Sequence, residues 1–236
     1  MIKSKPICII PARGGSKRLP RKNIIKVGGK PVIGWTIEQA AASGLFEKII
    51  VSTEDQEISN IVADFPMAEV WSRPNELASD RATVDQVCID VLTRVKRETN
   101  SLPQEFCCLY ATAILRTVDD IIKCHNVLTE SGCDTAMTVT NYEQYPHQAM
   151  NMSEDGRLVV QWPELLNTPR QELPHFVVDA GSVYWLNTQE FLQYKNFYGG
   201  LINGYMVPRA RAIDLDTPED FEMLIYYWNK LFKIGE

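Results

Sequence analysis

The chain has 236 residues, six cysteines and a formal net charge of −6, from 24 lysines and arginines against 30 aspartates and glutamates. A chain of this length buries roughly 70% of its extended surface in one core, so we expect a single domain over residues 1–236. The acidic balance disfavours nucleic acid as a partner. We find no signal peptide and no run of about 18 apolar residues, which predicts a cytoplasmic protein without a membrane segment.

Apolar runs and amphipathic segments alternate through the first 140 residues. This pattern predicts an α/β fold in which a mostly parallel sheet carries helices on both faces. The predicted strands cover residues 7–12, 48–53, 68–71, 106–110 and 135–140. The predicted helices lie near residues 32–43, 56–64, 84–98 and 118–130.

The pattern changes after about residue 141. Residues 150–152, 157–162 and 177–186 alternate or run apolar between turn signals, which predicts a small β-rich insertion at about residues 141–178. Another strand is predicted at residues 212–215. The last helix is predicted to begin at Thr217-Pro218, because a capping hydroxyl is followed by proline and early acidic residues.

A basic, glycine-containing segment follows the first predicted strand, where open α/β sheets bind ligands. Its cations are Arg13, Lys17, Arg18, Arg21 and Lys22. The backbone around Gly14 and Gly15 is expected to form an anion nest, with Arg13 and Lys22 neutralising phosphate oxygens. The segment therefore predicts a nucleoside triphosphate site, with a tight turn and a solvated loop as the alternative. It matches neither the P-loop nor the dinucleotide motif.

Two carboxylates stand two residues apart in Asp214-Leu215-Asp216. In a strand they would face the same side and could share a divalent cation, for which Mg²⁺ is the candidate. The alternative is that Asp216 caps the turn before the last helix.

The three histidines, His125, His147 and His175, do not have metal-ligand spacing. We interpret His125 and His147 as structural residues and leave the role of His175 open. Because the chain also lacks a serine nucleophile motif, covalent catalysis is not indicated.

Three segments, 10–17 with Lys22 and Asn23, 73–80, and 213–220, resemble the cytidylyltransferases that activate sialic-acid-like nine-carbon sugars. The resemblance implies a Rossmann-like nucleotidyltransferase fold, CTP and a nonulosonic acid as substrates, and Mg²⁺ as cofactor. It implies that the CTP triphosphate is held by Ala12, Arg13, Gly14, Gly15, Ser16 and Lys22, with Asn23 ordering the loop. Arg73, Asp80 and Ala82 would face the cytosine and ribose. Asp214 and Asp216 would hold the metal and complete a catalytic set with Arg13 and Lys22.

The same resemblance implies acceptor contacts from Tyr110, Arg170, Gln171 and Asp179, and a homodimer formed through the insertion. Residues 162–185 are most similar to members that use pseudaminic acid, whereas other members carry Arg-Pro-Asn-Gly where this chain has residues 178–181. N-acetylneuraminic or legionaminic acid as the acceptor, or a CTP-binding module without catalysis, remain alternatives.

The chain departs from the family pattern at three positions. Ala111 and Ile114 stand where relatives have prolines, which is expected to loosen the loop after the fourth predicted strand because proline restricts the backbone. Val84 stands where enzymes for N-acetylneuraminic acid have a hydroxyl residue that touches the base. These changes would either tune the acceptor preference or mark reduced activity.

Overall fold

The structure is a computed structural model that describes residues 5–142, 144 and 146–232. Within these residues the strands, in chain order, are β1 (Ile7–Pro11), β2 (Lys26–Val27), β3 (Lys30–Pro31), β4 (Lys48–Thr53), β5 (Ala68–Ser72), β6 (Glu105–Leu109), β7 (Thr135–Asn141), β8 (Met150–Met152), β9 (Leu158–Val160), β10 (Val177–Asn187) and β11 (Ile202–Met206). The α-helices are α1 (Val32–Ser43), α2 (Gln56–Val62), α3 (Val84–Thr99), α4 (Val118–Ser131), α5 (Thr188–Tyr194) and α6 (Pro218–Leu231).

The described part of the chain has a seven-stranded central sheet in the order β11-β7-β10-β6-β1-β4-β5. β1 pairs in parallel with β4 and β6, β4 pairs in parallel with β5, and β11 pairs in parallel with β7. β10 lies between β6 and β7 and runs antiparallel to both. The predicted α/β fold with a mostly parallel sheet is therefore confirmed.

Helices cover both faces of this sheet. On one face, Cys8 and Ile10 of β1 pack in a cluster with buried side chains of α1, α2 and α4. On the other face, Ile7 and Ile9 pack with α3 and with Phe191 of α5. Alternate residues of one strand thus serve opposite cores, as expected for a strand buried on both sides.

A third apolar cluster lies at one end of the sheet, beneath α6. Ile114 and Leu115, from the loop after β6, pack there with Ile213 and Leu215 and with Trp228 of α6. This cluster joins a central loop to the segment that precedes the last helix. That segment carries the carboxylate pair.

The strand predicted at residues 177–186 is present but its place in the fold was wrong, and the strand predicted at residues 212–215 is absent. Residues 177–186 do not belong to the insertion, because β10 is a central strand whose residues Val183, Tyr184, Trp185 and Leu186 are buried between two neighbours. Residues 212–215 form no strand, since their alternating burial comes from packing against the third cluster rather than from pairing. Strand β11, helix α5 and the short pairs β2-β3 and β8-β9 complete the observed elements.

All six cysteines are buried and unbridged. Burial raises the pKa of the Cys8 and Cys124 thiols, so they pack as small apolar groups. Among the helices of the described residues, none has the length and apolar character needed to cross a membrane.

Candidate active site

A cleft of about 270 Å³ opens at the carboxyl ends of β1, β5 and β6. The cleft is lined by six residues of the predicted nucleotide site: Arg13, Lys22, Asn23, Arg73, Asp80 and Ala82. Tyr110, Asp214 and Asp216 also line it. The structure therefore brings together residues separated by about two hundred positions in the chain.

The loop after β1 is held from both sides. Ala12 donates its backbone N–H to the Ser52 carbonyl of β4 at 3.0 Å, which extends the β1-β4 pairing. Asn23 donates its side-chain amide to the Arg13 carbonyl at 2.8 Å. The Gly14 N–H, which we expected to face an anion, donates instead to Glu54 Oε1 at 2.8 Å. These contacts fix where the Arg13 side chain leaves the loop.

Gly14 is required for space rather than for backbone conformation. Neither Gly14 nor Gly15 has a positive φ, so the two glycines do not form a left-handed nest. A Cβ at Gly14 would lie within 3 Å of three side-chain atoms of Asp55, whereas a Cβ at Gly15 would meet nothing within 4 Å. Of the two glycines, only Gly14 is needed for the close approach of the loop to Asp55.

Arg21 anchors the loop instead of facing the cleft. Its φ is 60°, and its guanidinium donates to both carboxylate oxygens of Asp55, at 2.6 and 2.8 Å, and also to Glu57. The Arg21 hydrogen bonds lower the pKa of Asp55 to about 2. Asp55 in turn caps α2 by accepting from the Ile58 N–H. This pair ties the basic loop to the first turn of a helix.

The remaining loop cations are paired with two carboxylates of the cleft. Arg13 Nη1 and Lys17 Nζ each lie 2.6 Å from Asp80, and Lys22 Nζ lies 2.6 Å from Asp216, which also accepts from Arg18. The contacts with Lys17 and Arg13 lower the pKa of Asp80, and those with Lys22 and Arg18 lower that of Asp216. Asp80 and Asp216 thus occupy the positions beside the loop cations that the phosphates of an anionic ligand would take.

Asp214 and Asp216 face the cleft together because the residues between and before them are buried. Ile213 and Leu215 point into the third cluster, so the alternation expected of a strand persists without one. Loss of surrounding water and the Asp216 carboxylate raise the pKa of Asp214. No described residue donates a hydrogen bond to Asp214.

The alternative role of Asp216 as a helix cap was wrong. The α6 cap is a reciprocal pair in which Thr217 accepts from the Asp220 N–H and Asp220 accepts from the Thr217 N–H. The Asp216 side chain therefore faces the cleft and pairs with Lys22 and Arg18.

Arg73 and an apolar wall form the other side of the cleft. Arg73 is buried and donates to the Ser52 carbonyl at 2.7 Å, and burial lowers its pKa. Ala82 and Val84 line the cleft at the start of α3, where Thr83 caps the helix with Gln86. An apolar surface beside a buried cation suits a nucleobase.

The predicted acceptor residues are not all in this cleft. Tyr110 lines it, and burial raises the pKa of its hydroxyl. Gln171 lines a separate hollow in the insertion. The side chain of Arg170 lies outside the described residues. Asp179 accepts from the Gly181 N–H at 2.8 Å, from Tyr184 Oη at 2.7 Å and from Tyr198 Oη at 2.6 Å.

Sequence reasoning missed several residues of this region. Leu77, Thr83, Val87 and Thr112 line the cleft. Leu77 lies within the segment 73–80 that carries the family resemblance and Thr83 lies three residues after it, and these positions were the available signal. Tyr198 follows α5, an element that we did not predict, so no sequence pattern connected it with Asp179.

The predicted loosening of the loop after β6 is not observed. Residues 111–116 are all buried, and helix α1 donates to the loop carbonyls of Ala111, Ile114 and Arg116. The histidines lie elsewhere: His125 contacts Glu105, and His175 contacts Asn141.

Metal-binding capacity in the described residues is limited to small sets. No group of three or more histidines, cysteines, aspartates or glutamates that could hold a metal ion occurs there. Asp214 and Asp216 provide two carboxylates on one side of the cleft. Two carboxylates suffice for Mg²⁺ when the substrate supplies phosphate oxygens.

A mostly parallel sheet with a basic loop after its first strand, faced by a carboxylate pair and an apolar wall, is typical of enzymes that transfer nucleotides. The cytidylyltransferase family model matches residues 7–169, and the chain belongs to this family. Over 218 residues it is 30% identical to a pseudaminic acid cytidylyltransferase of Campylobacter jejuni, covering 92% of this chain and 94% of that protein.

Two further comparisons agree with this assignment. The chain is 32% identical to an N-acylneuraminate cytidylyltransferase of Streptococcus agalactiae, over 92% of this chain and 52% of the relative. Among solved structures, a CMP:2-keto-3-deoxy-manno-octonic acid synthetase complexed with CTP superposes with a TM-score of 0.68 at 18% identity, covering 96% and 99% of the two chains. At that identity the likeness concerns the fold.

The two glycines of the loop provide a matched pair of substitutions. Gly14→Ala is expected to lower the free energy of unfolding by about 1–3 kcal/mol, because the new methyl group displaces Asp55. Gly15→Ala is the control and is expected to change it by less than about 0.5 kcal/mol. Urea unfolding of the three proteins measures both values, and equal stabilities would contradict the packing argument.

The Arg21–Asp55 pair predicts a pH-dependent stability. Asp55 has a pKa of about 2 in the folded chain, below the value of 3.8 for an unperturbed aspartate. The pair therefore stabilises fully above about pH 4 and is lost as the pH falls toward 2. Asp55→Asn retains a capping oxygen and is expected to cost about 2 kcal/mol at pH 7.

Urea unfolding at several pH values tests this expectation. The difference between the wild-type chain and Asp55→Asn should narrow as the pH is lowered from 4. A difference that does not depend on pH would mean that the ion pair is not its source.

Proposed function

We propose that the chain joins CTP to a nonulosonic acid, with pseudaminic acid as the acceptor, and releases pyrophosphate. The observation that carries the proposal is the convergence of Arg13 and Lys22 with Asp214 and Asp216 in one cleft. Family membership supplies the nucleotide and the reaction class. The acceptor is proposed from the relative in Campylobacter jejuni and from the surroundings of Asp179.

CTP enters by exchange of ion pairs. The triphosphate would replace Asp80 as the partner of Arg13 and Lys17, and would take Lys22 from Asp216. Arginine can donate two parallel hydrogen bonds to one phosphate, and lysine offers a compact charge. The cytosine would lie against the wall that Ala82 and Val84 contribute, with Arg73 beside it.

The carboxylate pair fits Mg²⁺ once its lysine is released. Asp214 accepts no hydrogen bond from a described residue, and its raised pKa reflects loss of surrounding water first and repulsion from the Asp216 carboxylate second, of which a cation would relieve the repulsion. Asp214 and Asp216 would hold the ion, which would supply neutralisation of phosphate charge when bound. Lys22 would then contact the phosphate and Asp216 the cation.

The reaction forms one bond and breaks one. The anomeric hydroxyl oxygen of the acceptor bonds to the α-phosphorus, and the bond from that phosphorus to the bridging oxygen of the β-phosphate breaks. Pyrophosphate leaves with the bonding electrons, and the hydroxyl proton passes to water. Arg13 and Lys22 would stabilise the charge that develops on the leaving group, so catalysis consists of positioning and electrostatic stabilisation.

Asp179 supports an acceptor that carries amide groups. Two tyrosine hydroxyls and one backbone N–H donate to its carboxylate, and the Tyr110 ring lies beside Tyr184 at a centroid distance of 5.1 Å. The Asp179 carboxylate, which lies next to the Tyr110–Tyr184 ring pair, would accept a hydrogen bond from the N–H of an acylamido substituent of the acceptor. Pseudaminic acid carries two such substituents.

A homodimer is part of the proposal. The hairpin of β8 and β9 exposes apolar side chains: Met152 is 74% exposed, Leu158 60% and Val159 63%. Apolar residues grouped in this way are typical of protein–protein contact surfaces. We place the dimer contact on the insertion at residues 141–178 and the protein in the cytoplasm.

The acceptor proposal is tested by pyrophosphate release from CTP with each of three acids. Pseudaminic acid is expected to give at least a tenfold higher kcat/KM than N-acetylneuraminic acid, because its second acylamido substituent would reach the Asp179 region. It is expected to exceed legionaminic acid, which carries the same two substituents in a different stereochemistry, by a smaller factor. A preference for either alternative acid would reassign the acceptor. If calorimetry shows CTP binding but none of the acids gives product, the chain would be a CTP-binding module without catalysis.

Asp216→Ala is expected to lower kcat by about 100-fold or more at millimolar Mg²⁺, because one of two carboxylates is lost. Asp119→Ala is the matched control, since Asp119 lies on α4 and pairs with Lys123 at the surface. Both variants should unfold at the wild-type temperature to within a few degrees. Full activity of Asp216→Ala would remove Asp216 from the mechanism.

A further inference from the structure

Arg116 is a buried cation that forms no salt bridge with a described residue. It is 1% exposed, and the Asp120 carboxylate, which acts on its charge at longer range, pairs with Arg211. Burial lowers its pKa to about 10, which leaves it charged at neutral pH. A buried charge of this kind is unfavourable unless nearby dipoles replace its lost water. The groups that solvate Arg116 are therefore held in place by its charge.

Those groups come from three separate elements. Nη1 donates to the Ser182 carbonyl of β10 at 3.0 Å and to the Tyr110 carbonyl at 3.4 Å. Nη2 donates to Thr36 Oγ1 at 3.0 Å and to Gln39 Oε1 at 3.1 Å, both on α1. One guanidinium thus connects the loop after β6 with a neighbouring strand and with a helix.

The two α1 residues also hold the loop directly. The Thr36 hydroxyl donates to the Ala111 carbonyl at 3.0 Å. The Gln39 amide donates to the carbonyls of Ile114 and Arg116 at 3.0 and 2.7 Å. Ala111 and Ile114 are the positions where prolines were expected, so hydrogen bonds supply the restriction that proline rings would give.

The loop forms one wall of the cleft. Tyr110, Ala111 and Thr112 line it, and Ile114 and Leu115 pack behind the segment that presents the carboxylates. CTP, by contrast, would be held mainly by Arg13, Lys22 and Arg73, which belong to other segments. A displacement of the loop would therefore affect the acceptor more than the nucleotide.

We propose that Arg116 is a positioning residue, which fixes the Tyr110–Arg116 loop and through it the acceptor side of the cleft. The inference rests on the proposed transfer to a nonulosonic acid for its kinetic consequence. Its structural consequence, a loop held by one guanidinium, does not depend on that proposal.

The kinetic arm compares the wild-type chain with Arg116→Lys, which keeps the charge and loses the planar fork. The KM for the acceptor is expected to rise at least tenfold, while the Kd for CTP measured by calorimetry changes less than threefold. Thr36→Val removes one hydroxyl at nearly constant volume and should shift the acceptor KM in the same direction by a smaller factor. This variant keeps the test valid if Arg116→Lys fails to fold.

Val95→Ala is the control for lost stability. Val95 is buried on α3, beside a hollow at the amino end of the sheet that Trp71 and Pro103 also line. The variant should unfold at a lower temperature and keep the wild-type KM and Kd. An unchanged acceptor KM in Arg116→Lys, or equal losses for acceptor and CTP, would overturn the positioning role.

The second arm needs no turnover. Hydrogen exchange followed by mass spectrometry should show at least tenfold faster exchange for residues 110–116 in Arg116→Lys, with residues 48–53 of β4 unchanged. Unchanged exchange in the loop would overturn the inference even in an inactive protein. If the wild-type chain turns over none of the acids and the exchange result holds, the proposed function fails and the inference about the loop stands.

Discussion

The contact between Lys22 and Asp216 joins the two parts of the chain on which the cleft depends. The residues are separated by 194 positions and meet at 2.6 Å. Lys22 belongs to a loop fixed by the first strand of the sheet, and Asp216 to a segment fixed by the last helix. Without this meeting the basic loop would lie at a surface, and the carboxylate pair would have no cation opposite it.

Carboxylates offset only part of the positive charge around the contact. Asp80 and Asp216 together engage four cations of the loop, so these six groups carry a net charge of +2 before any ligand enters. The pairs of Arg13, Lys17 and Arg18 are exposed and contribute little to stability, because water and salt screen them. These pairs can therefore be exchanged for phosphate contacts at low cost, while the two hydrogen bonds between Arg21 and Asp55 keep the loop in position.

Much of the fold followed from local patterns. The alternation of apolar runs and amphipathic segments gave the parallel strands β1, β4 and β6, because each is buried on both faces, and it also gave the edge strand β5, in which only Trp71 is buried. The start of α6 at Thr217-Pro218 followed from capping chemistry that acts within four residues. Patterns of this range do not encode which strands become neighbours, so the central place of β10 could not be predicted.

The site was predicted where the loop and the carboxylates carry chemistry in their own sequence. Residues whose role in the site comes from packing could not be predicted. Gly14 is needed because Asp55 approaches it, and Arg21 turns to that same carboxylate rather than to the cleft. Arg116 had no sequence signal, because its partners lie on a helix and on a strand from distant parts of the chain. Such roles arise only when the elements are assembled.

The antiparallel strand β10 also determines the order in which the sheet is completed during translation. Strands β1, β4, β5 and β6 are neighbours and leave the ribosome first, so they can assemble into a four-stranded half. The neighbours of β7 are β10 and β11, and it must wait through some forty residues of synthesis before either is available. During that interval β6 presents an unpaired edge to other nascent chains, and edges of this kind are sites of aggregation.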